Sequence, residues 1–378
     1  MKRLLLHIGK HKTGTTTIQQ FLLDNKNELR QRSWDYISTR GMNSNSSVKR
    51  KTSSGYDSDE YFKCHEVKTE FFTNFLEEST ADNVIISSEN FDLVTSEEEI
   101  GKFKSYLETY FEKIEISVYL RRQDLYAISY KQQRSKPNIF QAFDNEISAL
   151  PLMSEYAKKI FDYNITIDSW AKVFGKENIR VRILEKEKLY KNDLIKDFLN
   201  LIDLDYDSCS FKEPRNLNES MNRLEQISNH LLNEYGINNL SINNIDNDSS
   251  KLLPTKNEAI AFYECFKQSN KDLNKKYSVS LSCESIFEEN FDRYPDTDVN
   301  ITSSELHLIF KAVLDKAIKN NEDLVTDSLR DLAISIEKTN PKEALFIMML
   351  AKERRNGTTI NRKIKEYRQE LKKYYDFK

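Results

Sequence analysis

The chain has 378 residues, 38% hydrophobic and 31% charged, with a net charge of -3 at pH 7. This is the composition of a soluble globular protein long enough for a sizeable core and more than one domain. The near-balanced charge gives no global argument for nucleic-acid binding, although a local basic pocket is compatible with it. No stretch approaches the length of a bilayer span, and the apolar run after Met1-Lys2-Arg3 is too short for a signal-peptide core. Cys64, Cys209, Cys265 and Cys283 form no CxxC pair and no zinc-like spacing, which suits reduced thiols in a cytoplasmic protein. Peripheral contact with a membrane surface stays open.

Residues 3–8 form a short apolar run ending in a glycine and threonine turn. Ile18, Phe21, Leu22 and Leu29 then recur at helical spacing. This predicts strand, loop and helix, with the loop amides and helix N-terminus available to an anion. The Ser-, Asn- and Lys-rich stretch over residues 40–60 predicts a mobile loop, either a solvated linker or a substrate lid. "NVIISSENF" predicts a second strand, followed by a helix with Ser96 and Glu99 placed for a capping box. "IEISVYLRRQ" predicts a third strand running into a helix over "DLYAISYKQQ". "ENIRVRILEKEKL" predicts a fourth, followed by helical "KNDLIKDFLNLI".

Alternating strands and helices imply an α/β fold with a parallel, doubly wound sheet, and ligands beyond the carboxyl ends of its strands. The pattern turns all-helical near residue 300. Residues 1–299 are therefore expected to form the catalytic α/β domain, and residues 300–378 a helical extension. Ala344 and Ala351, one heptad apart, suggest closely packed helices of tetratricopeptide type. The Lys and Arg excess of this tail suits a solvated face, or docking on an acidic glycan or a membrane surface.

Gly9 and Gly14 stand at the spacing of a Walker A loop, but no lysine follows the second glycine; Thr15 and Thr16 do, and Lys12 lies upstream. The amides around Gly14, Thr15 and Thr16, with the two hydroxyls, suit a single phosphate. Lys12 is then free to neutralise charge on a transferred group. A tight strand-to-helix turn with no ligand accounts for the loop equally well. At the end of the third strand, Arg121 is followed by Ser129 with seven residues between them. A guanidinium fork and a hydroxyl at one strand-helix junction suit a second, dianionic phosphate, unless Arg121 simply pairs with a surface carboxylate. Arg122 fits an ordinary solvated residue.

At these residues the chain resembles the sulfotransferases that use 3'-phosphoadenosine-5'-phosphosulfate (PAPS), most closely the bacterial carbohydrate type. "HKTGTT" resembles their 5'-phosphosulfate loop, with Lys12, Thr13, Gly14, Thr15 and Thr16 on the motif positions. "RRQDLYAISY" resembles their 3'-phosphate motif, with Arg121 and Ser129 at the family spacing. The resemblance covers roughly residues 1–299 and implies sulfuryl transfer from PAPS to a carbohydrate or glycolipid hydroxyl. His11 and Gln123 stand where prolines are common, and the family's glycine-rich late loop is not evident. "EPRNLNESMNR" is the segment in its place, making Arg215 and Ser220 candidates for the 3'-phosphate.

Glu89, at the end of the second strand, is the first candidate for the acceptor's base, since several carbohydrate sulfotransferases use a glutamate. His11, inside the loop, is the second. His7 at a strand end suits a structural histidine, and His65 beside Glu66 belongs to no metal-ligand pattern. No metal is expected. Two rival functions remain: a P-loop kinase or NTPase, opposed by the missing lysine and the lack of a Walker B strand, and a non-catalytic binding or assembly protein. The acceptor's identity and the oligomeric state are not legible in the sequence.

Overall fold

The structure, a computed structural model, describes residues 2–38, 47–50, 65–135, 147–214, 221–234, 237, 240–243, 245, 250–280, 285–298, 301–339 and 341–375. Its strands are β1 (Arg3–His7), β2 (Trp34–Ser38), β3 (Val48–Arg50), β4 (His65–Val67), β5 (Asn83–Ser87), β6 (Lys113–Leu120) and β7 (Ile179–Ile183). Five of them form a parallel sheet in the order β2-β5-β1-β6-β7. The fold is mixed α/β, as the alternating sequence pattern requires.

Both faces of this sheet are covered, which is why its central strands are continuous apolar runs without alternation. Leu4, Leu6, Val84, Ile86, Ile116 and Val118 join one core with Phe91, Phe103 and Trp170. Leu5, Ile85, Tyr36 and Tyr119 join the other with Ile18, Phe21, Leu22 and Phe198.

Three local features differ from expectation. The first helix, Thr15–Asp24, stops before Leu29, which lies in a separate short helix, Lys26–Arg30. Asn25 makes the break: its side chain donates to Phe21 O at 2.9 Å and accepts from Lys212 N at 2.7 Å. Strand β2 has little strand signature, since "WDYIS" carries a charge in its middle. Asp35 is buried there because Arg30 binds both its oxygens, at 3.1 and 3.2 Å. Within the polar stretch 40–60, residues 48–50 form β3, antiparallel to β4, anchored by buried Val48; residues 40–46 and 51–60 lie outside the described residues.

The chain divides into two compact units, Met1–Met221 with Lys251–Val299, and Asn222–Ser250 with Asn300–Lys378. Residues 222–250, expected in the first domain, therefore group with the C-terminal helices. Buried Arg223 reaches Glu305 at 2.6 Å, in the first turn of the helix Ser303–Ile336. The helices Pro341–Arg354 and Thr358–Tyr375 complete this unit, with Ala344, Met348, Ala351, Ile360, Ile364 and Tyr367 in its core. No helix among the described residues is long and apolar enough to cross a membrane.

In the first unit, the helix Leu194–Asn200 is tied to the sheet through Asp197, which is fully buried. Its carboxylate accepts from Tyr119 Oη at 2.7 Å, Arg182 Nε at 2.9 Å and the Tyr190 amide at 2.8 Å. Asp197→Ala should strand a buried hydroxyl and a guanidinium and lower stability by about 3 kcal/mol in urea unfolding; an unchanged midpoint would show the cluster to be incidental.

Candidate functional site

Strand β1 lies between β5 and β6, and the order of the chain reverses around it. The carboxyl ends at such a reversal open the crevice where doubly wound sheets bind ligands. The loop from Ile8 to Gly14 leaves β1 at this point. It first continues the ladder, with Tyr119 N donating to Gly9 O at 2.9 Å. It then turns through left-handed conformations at Gly9, Lys12 and Gly14, with φ of 106°, 60° and 85°. Gly14 is required twice over: besides its φ, a Cβ there would stand 2.4 Å from Leu194 Cδ2. A Cβ on Gly9 would meet Glu89 Cα at 3.2 Å, so loop and Glu89 backbone are in close contact.

The helix Thr15–Asp24 has no side-chain cap. Its first-turn amides are therefore left to the concave side of the loop, beside the Thr15 and Thr16 hydroxyls, an arrangement suited to an anion. Thr13 contributes differently. Its hydroxyl donates to Lys10 O at 2.6 Å and closes the loop on itself.

The loop's two lysines have separate environments. Lys10 is 2% exposed, and its Nζ lies 2.6 Å from Asp92 Oδ1, near Thr166 and over the Tyr163 ring. Lys12 is partly exposed. Burial alone would raise the Asp92 carboxyl, but Lys10 and His11 hold it below the ordinary carboxylate range. His11, 24% exposed, turns Nδ1 toward Asp92 Oδ2 at 3.5 Å, an electrostatic contact longer than a hydrogen bond.

Glu89 begins a 3-10 turn after β5, and Gln19 Nε2 donates to its Oε2 at 2.9 Å. Burial pushes its carboxyl up, yet the His11 charge, its own amide and Gln19 outweigh this, and it stays ionised below the usual range. Gln19 also approaches Ser87, whose hydroxyl lies 2.8 Å from His7 Nδ1. His7 is fully buried and its pKa is lowered to about 4, chiefly by burial. It is a neutral structural residue.

On β6 and the helix Gln123–Arg134, Arg121 and Ser129 meet directly: Nη1 donates to Ser129 Oγ at 2.7 Å. Among the described residues no carboxylate is within ion-pair distance of Arg121, and burial and the neighbouring Arg293 both depress its pKa. The adjacent Arg122, taken from sequence as solvated, is 4% exposed. It holds Asp124 in two parallel bonds of 2.8 and 2.9 Å, donates to Asn290 O at 2.6 Å and stacks 4.1 Å over Phe291. Tyr294 Oη adds a 2.5 Å bond to Asp124. This clamp fixes the segment that carries Arg293.

The structure thus brings Lys12, Thr13, Gly14, Thr15, Thr16, His11 and Glu89 together at the end of β1, and Arg121 with Ser129 at the end of neighbouring β6. Arg215 and Ser220 lie outside the described residues. Lys10, Asp92, Gln19 and Arg293 were missed. Asp92 and Gln19 have a faint signal, each being polar on a buried helical face; Arg293 has none, because only the Arg122 clamp brings it near. His65 is buried on β4, and no cluster of three or more potential metal ligands occurs among the described residues.

No protein-family model matches the chain. A curated protein of Archaeoglobus fulgidus, described only as uncharacterized, is 27% identical over 275 residues, spanning 68% of this chain and 69% of its own length. Among solved structures, the chain is similar to the crystal structure of a sulfotransferase from Alicyclobacillus acidocaldarius, with 13% identity and a TM-score of 0.35. That alignment covers 63% of this chain and 93% of the other. The functional reading therefore stands on the residues of the site.

His7 gives the site a pH signature. The unfolded chain protonates this imidazole near 6.5 and the folded chain near 4. The stability it contributes is complete above pH 6.5 and is lost as pH falls toward 4, up to about 3 kcal/mol. Urea unfolding across this range should show the decline, and His7→Gln should flatten it; an equally steep variant would assign the decline to the carboxylates.

Proposed function

We propose that the protein transfers the sulfuryl group of PAPS to a hydroxyl of a carbohydrate or glycolipid and releases 3'-phosphoadenosine-5'-phosphate. The observation that carries this is the Arg121–Ser129 contact of 2.7 Å beside Arg293, with no carboxylate within ion-pair distance of Arg121 among the described residues. A half-buried guanidinium pressed by a second one is stabilised by a dianion, and a 3'-phosphate supplies it. The loop amides with Thr15 and Thr16 then take the 5'-phosphate. Lys12 offsets charge building on that phosphate as its bond to sulfur breaks.

The acceptor oxygen must lose its proton as it attacks sulfur. Of the two candidate bases, His11 is preferred here: it is partly exposed, faces Asp92 at 3.5 Å, and an imidazole is the commonest general base. Glu89, held ionised below the usual range, is the weaker base and serves better to stabilise the resulting imidazolium. A kinase or NTPase reading gains nothing from the loop, since its other lysine, Lys10, is buried against Asp92.

3'-Phosphoadenosine-5'-phosphate should raise the melting temperature well above the effect of ATP or AMP. Arg121→Ala should remove about 2 kcal/mol of its binding and most of the discrimination against AMP. Equal shifts with all three nucleotides in the wild type would refute the proposal. In transfer assays from labelled PAPS to a panel of polysaccharides and glycolipids, His11→Gln should keep nucleotide binding and lose turnover; turnover lost in Glu89→Gln alone would return the base role to Glu89.

A further inference from the structure

The second unit carries a groove of about 410 Å³ between the helices Pro341–Arg354 and Thr358–Tyr375. Lys352 lines it from the first helix; Asn361, Lys365, Arg368, Gln369 and Lys372 line it from the second. These last five positions follow one helical stripe, i, i+4, i+7, i+8 and i+11. No acidic residue lines the groove.

Several other cations of this unit have acidic partners. Arg362 reaches Glu366 at 2.8 Å, Lys363 reaches Glu337 at 2.7 Å, and Arg330 reaches Asp327 at 2.7 Å. Among the described residues, none of Lys352, Lys365, Arg368 and Lys372 has a carboxylate within ion-pair distance. Attraction to a helix C-terminus accounts for Lys352 and Lys372, which lie in last turns. It does not account for Lys365 and Arg368, which lie further back along the helix.

We infer that this groove binds an anionic polysaccharide. The stripe spans ~16 Å at 1.5 Å per residue, so its charges repeat along a line as those of an extended acidic sugar chain do. Asn361 and Gln369 place amides between the cations, where sugar hydroxyls need donors and acceptors. A single-stranded nucleic acid would need aromatic faces for its bases, and the groove lining has none. Insertion into a membrane would need protruding apolar side chains in the lining, and the groove's one aliphatic residue, Ile364, is buried; an electrostatic hold on anionic lipid is distinguished by the vesicle measurement below. The inference does not depend on the transferase reading, since nothing in it involves the nucleotide site.

The test uses the full chain with fluorescent dextran sulfate, followed by anisotropy at two salt concentrations. Dextran sulfate should bind and weaken with salt, while neutral dextran of equal length should not bind. Lys365→Gln/Arg368→Gln/Lys372→Gln should lose about ten- to a hundredfold in affinity. Lys311→Gln/Lys319→Gln/Lys338→Gln, on exposed lysines outside the groove, should bind as wild type. Equal losses in the two triple variants would reduce the effect to bulk charge and overturn the site. Tighter binding to polyuridylate or to phosphatidylglycerol vesicles would overturn the choice of partner. Circular dichroism melting checks both variants; if the first is unfolded, Arg368→Gln alone should still cost several-fold, and wild-type affinity in it would refute the site. Nucleotide-induced melting shifts should be unchanged in the groove variants, so failure here and failure of the transferase proposal are separable.

Discussion

The candidate site is organised around one buried ion pair. Lys10 and Asp92 are both almost fully enclosed, and their 2.6 Å contact joins the loop after β1 to the turn after β5. Such a pair adds little net stability relative to an apolar pair, because both charges lose their water. Its value lies in geometry. Lys10 is drawn inward, and Asp92 keeps its second oxygen facing His11.

Two adjacent arginines at the end of β6 have opposite tasks. Arg122 is saturated by Asp124, two carbonyls and a ring face, and it anchors the segment through Tyr294. Arg121 has a serine hydroxyl and a like charge for company. The clamp makes this tolerable: by occupying Asp124 with Arg122 and Tyr294, it keeps the nearest carboxylate from neutralising Arg121.

Much of this was legible in the sequence. Continuous apolar runs marked β1, β5 and β6, and the eight-residue offset from Arg121 to Ser129 placed both at one junction, where a long arginine side chain at the strand end reaches a hydroxyl on the following helix. Strand β2 was not legible: its charge is buried against Arg30, Lys26 and Ser79. Nor was the burial of Lys10 against Asp92 legible, since residues of an irregular loop follow no period. Arg293 depends on contacts across about 170 positions, and residues 222–250 joined the helical unit through Arg223 and Glu305. Pairings of this kind leave no local pattern.

The brace behind Gly14 has a consequence for how the molecule is made. Leu194 occupies the space a side chain would need there, and Asp197 holds Leu194's helix against β6 and β7. Lys10 likewise needs Asp92 and Thr166. The loop's supports are spread over nearly two hundred residues that follow it in the chain. Its shape is fixed by long-range contacts and closes only once Asp92, Thr166 and the helix of Leu194 have been synthesised.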